Sequence, residues 1–394
     1  MHKFKVKYEP LQVRNILIEM KNLSELMVYS AYCSVIYGDV KLAKEVMRLE
    51  ERVDYLNLQL VMHASLATRT AEDAESMLSV FRMASAIDKI SDAAADIASV
   101  VVTSKPLLLV GRMLTKSEEL ISRVKVREGS PLANHTLEEV YDLLGYIFDV
   151  FAIRRGERWI LEPDLGFRLG VDDVLLVRGS LEAITSLRRQ ALDMLKEAQP
   201  AELPSKYERI VKGLRELRDV SDLMVDLACS ALITNSRRIA ERIVSLENYV
   251  DELYINYERE VISTKELSLD DMLKLIRIAV ATENIADAAN EMAEIILRDI
   301  RPHPVLSMVM RESNERLLDI DVTESLDGKT IEDLGLKKLG ASVLAVKRGE
   351  KWIIRPSQRM MLLRGDTLLI RCYSEAEDAI LAMFQVRNKN GKMA

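Results

Sequence analysis

Apolar residues recur at helical spacing over three successive stretches at the start of the chain. Val13, Leu17, Met20, Leu23, Met27 and Ala31 fall on one face of a predicted helix from Pro10 to about Tyr37, and Pro10 suits its first turn. Gly38-Asp39 interrupts the pattern. Leu42, Val46, Leu49, Val53, Leu56 and Leu60 mark a second helix from about Val40 towards Thr68. A third runs from about Ala71 to Thr103 and stops at Lys105-Pro106. Three long helices joined by short turns predict an antiparallel bundle.

After about Ser117 the period changes. Val124-Lys125-Val126 alternates as a strand, Thr136-Leu137-Glu138-Glu139 opens a short helix, and Val150 to Ile153 reads as a buried strand. Arg154-Arg155-Gly156-Glu157-Arg158 has the chemistry of a tight turn, answered by Trp159-Ile160-Leu161. Asp172-Asp173 precedes a strand over Val174 to Val177, and Ser180-Leu181-Glu182 caps a helix predicted to reach about Leu195. These elements make a small domain of α+β type.

Pro200-Ala201-Glu202-Leu203-Pro204 reads as a linker, and the programme then starts again. Helices are predicted from about Tyr207 to Thr234, Ser236 to Ser263 and Leu269 to Leu297. Arg301-Pro302-His303-Pro304 is a break, a second small domain spans about Glu312 to Ala382, and Asn388 to Lys392 form a polar tail. Self-similarity supports the repetition. SDLMVDLA from Ser221 matches SELMVYSA from Ser24, and AVKRGEKWIIRP from Ala345 matches AIRRGERWILEP from Ala152. The offset drifts only from 197 to 193 between those pairs. The expected fold class is therefore α+β multidomain: two three-helix antiparallel bundles, each followed by a small mixed α+β domain. The boundaries are 1–116, 117–199, 200–305 and 306–394.

Composition narrows the function. With 48% hydrophobic and 30% charged residues among 394, the chain reads as soluble and globular. A net charge of −7 argues against nucleic acid or an anionic membrane surface as partner. Cys33, Cys229 and Cys372 show no CxxC spacing and read as buried free thiols in a reducing cytosol. The N-terminus leads into polar sequence with no signal peptide, and the most apolar stretch, Ile97 to Val110, is too short to span a bilayer. His2, His63, His135 and His303 are scattered without metal-ligand spacing. There is no G-x-G, P-loop or nucleophile elbow, so neither a dinucleotide such as NAD nor an enzymatic reaction is expected.

The strongest chemical signal is acidic. On a helix, Glu283, Asp287 and Glu291 line up four residues apart, as do Asp88, Asp92 and Asp96 in the equivalent stretch. Like charges at that spacing cost roughly a few tenths of a kcal/mol per pair. Solvent, cationic partners or a bound metal must offset the repulsion. Carboxylates clustered without Cys or His favour hard ions such as Mg²⁺, Mn²⁺ or iron. The alternative is a solvated acidic face satisfied by arginines such as Arg52 or Arg82. The turns at Arg155 and Arg348 are basic enough to touch a small anionic ligand, although exposed hairpin tips are commonly basic for solubility alone. Trp159 and Trp352 occupy equivalent strand positions and read as core or interface anchors.

Two resemblances follow from these residues. The helical units resemble PhoU-type repeats, whose third helix reads E-R-I-G-D-x-A-x-N-I-A-E. Glu283, Ile285, Asp287, Ala289, Ala293 and Glu294 match it, and Asp88, Ile90, Asp92, Ala94, Ile97 and Ala98 do so more loosely. The family's second-helix E-x-x-x-D is matched by Glu50/Asp54 and Glu247/Asp251. The small domains resemble TrkA C-terminal (RCK-C) domains through Ser130-Pro131-Leu132, Thr136 to Glu139, Ala152 to Gly156, Pro163 and Asp173. The second copy shows Gly328 to Ile331, Ala345 to Gly349, Pro356, Gly365-Asp366 and Leu368. In three places the pattern departs, one being that Ser-Pro-Leu is missing from the second small domain. The third-helix Asn is Asp96 or Glu291, and the Gly-Asp before the last strand is Asp172-Asp173 in the first copy.

The PhoU resemblance implies metal at two carboxylate sets, Glu50, Asp54, Asp88 and Asp92, and Glu247, Asp251, Glu283 and Asp287. The RCK-C resemblance implies paired, ligand-sensing domains. Together they imply a cytoplasmic regulator of cation transport, most readily potassium, with a membrane transporter or channel as partner and a place at the inner face of the membrane through it. A homo-oligomer or an intrachain pseudo-dimer is expected. The rival reading is an adaptor in phosphate transport or signalling.

Overall fold

A computed structural model describes residues 7–103, 120–156, 158–193, 207–312, 315–349, 351–354 and 356–384. The expected helix stop at Lys105-Pro106, the linker at 200–204, the tail at 388–392, His2, Glu157 and Glu350 lie outside the described residues, as does the side chain of Trp352. The chain divides into two units, each packed mainly within itself. One holds residues 1–114 and 203–313, the other 115–202 and 314–394. Each unit thus combines the matching parts of both sequence copies.

The helical unit contains α1 (Val13–Tyr37), α2 (Val40–Ala67) and α3 (Ala71–Thr103). Gly38 ends α1 at φ 61°, a left-handed conformation glycine adopts without steric cost, and Asp39 then caps α2 by accepting from the Lys41 and Leu42 amides at 3.1 Å. The buried face of α1 is Ile16, Leu17, Met20, Met27, Ala31 and Val35, so Val13 and Leu23 sit at its margin. On α2 the buried positions Leu42, Val46, Val53, Leu56 and Leu60 follow the expected stripe.

In the small-domain unit β1 (Leu120–Lys125), α4 (Leu137–Leu144), β2 (Asp149–Arg155), β3 (Arg158–Leu161), β4 (Val174–Gly179) and α5 (Leu181–Gln190) form the first copy. Thr136 and Glu139 close a capping box on α4. The helix predicted to reach Leu195 ends at Gln190, because Leu192 turns the chain at φ 54°.

The helical unit resumes with α6 (Glu208–Thr234), α7 (Arg237–Ser263), α8 (Leu269–Leu297) and α9 (Pro304–Glu312). Helix α9 falls where a plain break was expected. It packs on α1 and α6, tied to α1 by an Arg14–Glu312 ion pair at 3.0 Å, and just before it the His303 amide donates to Ser79 Oγ of α3 at 3.0 Å. Within each copy the three long helices pack mutually, and α3 packs along α8. Beside that seam Tyr32 Oη of α1 lies 3.0 Å from Thr282 Oγ1 of α8, with the Arg218 guanidinium 5.4 Å from the Tyr32 ring. The three cysteines are free and buried.

The second small domain contains β5 (Glu315–Asp321), β6 (Ser342–Arg348), β7 (Lys351–Ile354), β8 (Thr367–Tyr373) and α10 (Glu377–Met383). Its sheet order is β5-β8-β6-β7, the same as β1-β4-β2-β3, and both sheets are antiparallel. The duplication extends to a register shift at Val150/Ala152 and again at Val343/Ala345. Gly365 turns into β8 at φ 88°; at the same turn of the first copy Asp172 takes φ 68°, with Lys125 Nζ 2.6 Å from its carboxylate. That accounts for the departure of Asp172-Asp173 from Gly-Asp.

Candidate metal centre and the basic turns

The two acidic sets are brought together by adjacent helices. Glu50 and Asp54 are one turn apart on α2, and Asp88 and Asp92 one turn apart on α3, which packs beside it. One oxygen from each of Glu50, Asp54 and Asp92 falls within 4.8 Å of the others. Asp88 completes the first set: its Oδ1 is buried without a hydrogen-bond partner, while the Asn57 side chain bonds the same carboxyl group. Glu247 and Asp251 on α7 with Glu283 and Asp287 on α8 form the second set. Among the described residues the converging triad is found only in the first.

Electrostatics mark both sets as short of positive charge. Burial, then Asp54, Asp92, Glu51 and Asp88, push Glu50 up to about 7. Burial, then Asp92 and Asp54, raise Asp88 to about 6. Asp54 and Asp92 are also raised, burial being the larger cause in each. In the second set burial, then Asp287, Asp251 and Glu247, bring Glu283 to about 7, and Glu247 is raised by burial and then Asp251. Asp287 is raised by burial and Asp251, but Lys89 pulls it back.

No ion pair reaches any of these eight carboxylates among the described residues. Arg52 pairs instead with Glu19 at 2.7 Å, and Arg82 with Glu294 at 3.5 Å. The two arginines that could have satisfied the acidic face are engaged elsewhere. An all-carboxylate donor set with one orphaned buried oxygen fits a hard cation.

In both basic turns the arginine named above is engaged by an aspartate of its own domain. Arg155 donates from Nε to Asp173 Oδ1 at 2.8 Å and from Nη2 to Asp173 Oδ2 at 2.6 Å, and Nη2 also donates to the Arg168 carbonyl. Arg348 repeats this with Asp366 at 2.9 and 2.6 Å and the Met361 carbonyl at 2.8 Å. Both aspartates are buried, and each also accepts a backbone amide, from Gly170 and Leu363 respectively. Each arginine therefore closes its own domain as a bidentate clasp. Trp159 is buried beneath Arg154, as expected of an anchor.

Sequence reasoning missed the ionic seam between the small domains. Arg178 on β4 pairs with Glu315 on β5 and lies 3.4 Å from Asp149; Arg371 on β8 is 3.8 Å from Glu315. The Ile147 amide donates to the Lys338 carbonyl at 2.9 Å across the same seam. Burial pushes Asp149 up to about 7 against the pull of Arg178. A signal was present: Arg178 and Arg371 are charged residues at the same place in otherwise apolar strands of both copies.

A family model described as PhoU domain matches residues 17–101 and 214–296, and one described as TrkA-C domain matches 121–192 and 317–385. No curated protein matches the chain. Among solved structures, PhoU from Pseudomonas aeruginosa is 17% identical over 73% of this chain and 95% of its own, with a TM-score of 0.40. The GsuK RCK domain is 15% identical over 68% of this chain, with a TM-score of 0.18. The GsuK channel bound to NAD is 13% identical over 75%, with a TM-score of 0.20. This chain spans 64% and 65% of those two GsuK chains, less than two thirds of each. Among the described residues no helix is long and apolar enough to cross a membrane.

Proposed function

We propose that this chain, two PhoU domains and two TrkA-C domains in one polypeptide, is a cytoplasmic regulator of cation transport, most readily of potassium. It acts on a membrane transporter or channel and catalyses no reaction of its own. The observation that carries this reading is the presence of both TrkA-C copies, held in one compact unit, in the same chain as the PhoU domains. TrkA-C domains resemble the sensing modules of ion-transport regulators, a component that a phosphate adaptor does not require.

Glu50, Asp54, Asp88 and Asp92 would hold metal at the first cluster; Glu247, Asp251, Glu283 and Asp287 form the equivalent acidic set in the second copy. A bound divalent ion would supply the positive charge that the first cluster lacks. The carboxylates of α2 and α3 sit on separate helices, so their mutual repulsion sets how closely those helices pack when metal-free. A change of packing between two such states is the means by which metal would bias the chain towards or away from its partner.

The test is transport by the native host after deletion of the gene. Potassium or rubidium uptake is expected to change and to be restored by the parent chain, with phosphate uptake unaffected. Altered phosphate uptake with unchanged potassium flux would replace this reading with the phosphate adaptor.

A further inference from the structure

The two acidic clusters occupy equivalent positions in the duplicated chain but differ in one neighbour. Lys89, next to Asp88 on α3, does not turn to its own cluster. Its Nζ crosses to α8 and pairs with Glu291, one turn beyond Asp287. The residue in Lys89's place in the second copy is Asn284, and the one in Glu291's place in the first is Asp96. The reciprocal contact would join Asn284 to Asp96, and it brings no cation to the first cluster. The ion pair is therefore one-sided. It leaves Glu50, Asp54 and Asp92 converging without a counter-charge, and it places an ammonium at the end of the second cluster. Arg82 adds to the imbalance by reaching Glu294, one further turn along α8, where the first copy has Ser99.

We propose that the two clusters have diverged into one metal-binding site, at Glu50, Asp54 and Asp92, and one held against metal by an internal cation, the Lys89 ammonium pinned to Glu291. This rests on the metal reading above and adds which half loads. A divalent ion at the second cluster is repelled by Lys89 or must displace it from Glu291. At the first cluster no cationic side chain pairs with Glu50, Asp54, Asp88 or Asp92 among the described residues. Lys89 is thus a specificity-determining residue for the second site, supplied by the first copy. Its side chain is 48% exposed, so its replacement leaves no buried hole.

The full-length chain is stripped of metal and titrated with Mn²⁺, following uptake by calorimetry and by elemental analysis after dialysis. The parent is expected to bind Mn²⁺, to lose that binding in Asp92→Asn and to keep it in Asp287→Asn. Lys89→Gln is expected to add uptake at the second cluster, with affinity there raised by about tenfold or more as a facing positive charge is removed. Adding Asp287→Asn to Lys89→Gln should abolish only the added uptake. Circular dichroism checks that each variant is folded. If Asp92→Asn and Asp287→Asn each remove half of the parent's uptake, both clusters load and the divergence is refuted while the metal reading stands. If Lys89→Gln adds nothing, or adds uptake that survives Asp287→Asn, the role of Lys89 is refuted. If the parent takes up no Mn²⁺, the metal reading itself falls and this inference with it.

Discussion

Replacing Arg348 by alanine tests whether the basic turn serves a ligand or its own domain. Its guanidinium makes two hydrogen bonds to Asp366, whose side chain is only 2% exposed, and one to the Met361 carbonyl. Removing one partner of a buried ion pair costs about 3–5 kcal/mol, because the other charge stays behind without compensation. The Arg348 side chain is 36% exposed, so water can reach part of the vacated space, and the Leu363 amide still donates to Asp366. We expect a loss of about 2–3 kcal/mol, which lowers the melting temperature of a unit of this size by roughly 5–10 °C. The assay is selective, since the two tryptophans, Trp159 and Trp352, both lie in the small domains. Tryptophan fluorescence therefore follows that unit while circular dichroism is dominated by the helices. Adding Asp366→Asn should recover part of the loss, because the orphaned charge is gone. A fluorescence transition unchanged from the parent's, together with loss of binding to a small anion, would refute the clasp and return Arg348 to the ligand-contact role its sequence suggests.

Gly340→Ala places a Cβ 2.7 Å from Tyr373 ring atoms and 2.9 Å from the Ile147 carbonyl at φ 62°, whereas Gly335→Ala at φ 64° meets nothing within 4 Å. Both substitutions cost about 1–2 kcal/mol for the left-handed backbone, so a lower fluorescence melting point for Gly340→Ala than for Gly335→Ala measures the seam, and equal values would deny it. The metal-free protein should also respond to pH at Glu50, which sits at about 7 against an ordinary 4.5. The folded form then binds more protons than the unfolded one, and its stability falls as pH rises through that window. Glu50→Gln should be neutral at pH 4 and stabilising above pH 7, by on the order of 1 kcal/mol once solvent screening of a half-buried group is allowed for. Chemical denaturation of chelator-treated protein at the two pH values reads the difference, and equal effects at both would show that the clustered acids do not strain the fold.

The long helices were legible because their periodicity persists over many turns and several starts carry a capping residue, as at Asp39, Ser236 and Ser268. Short elements were harder to read. Pro302 and Pro304 suggested a break, yet Pro304 opens α9, since proline costs nothing at a first helical position. The two carboxylate sets came from the PhoU resemblance, and each lies on two helices that pack against one another in the bundle. The identity of the cations was not legible. Whether Arg52 or Arg82 turns to the cluster or to Glu19 and Glu294 depends on side-chain directions fixed only by packing. The clasps at Arg155 and Arg348 were hidden for the same reason: the partner aspartates lie 18 residues away, across a turn.

Fusing two copies in one chain removes a constraint that a homodimer obeys. In a symmetric pair every contact across the twofold occurs twice, so a cation placed on one cluster is placed on both. Here each crossing can be made once. Tyr32 on α1 meets Thr282 on α8, whereas the residues in their places are a thiol, Cys229, and an aliphatic side chain, Ile87. Lys21 and Arg218 are both buried at equivalent positions and each pairs one turn on, with Glu25 and Asp222 respectively, but Arg218 also lies 5.4 Å from the Tyr32 ring of the other copy. Lys89 and Glu291 belong to the same set of one-sided contacts. The bundle cores and the sheets kept their duplicated pattern, down to the register shifts in β2 and β6, because packing volume and strand pairing tolerate little change. The half-exposed positions along the α3–α8 seam were free to diverge, and divergence there changes charge around the carboxylates without disturbing the fold. A chain built this way can therefore carry two equivalent acidic clusters with different charges around them.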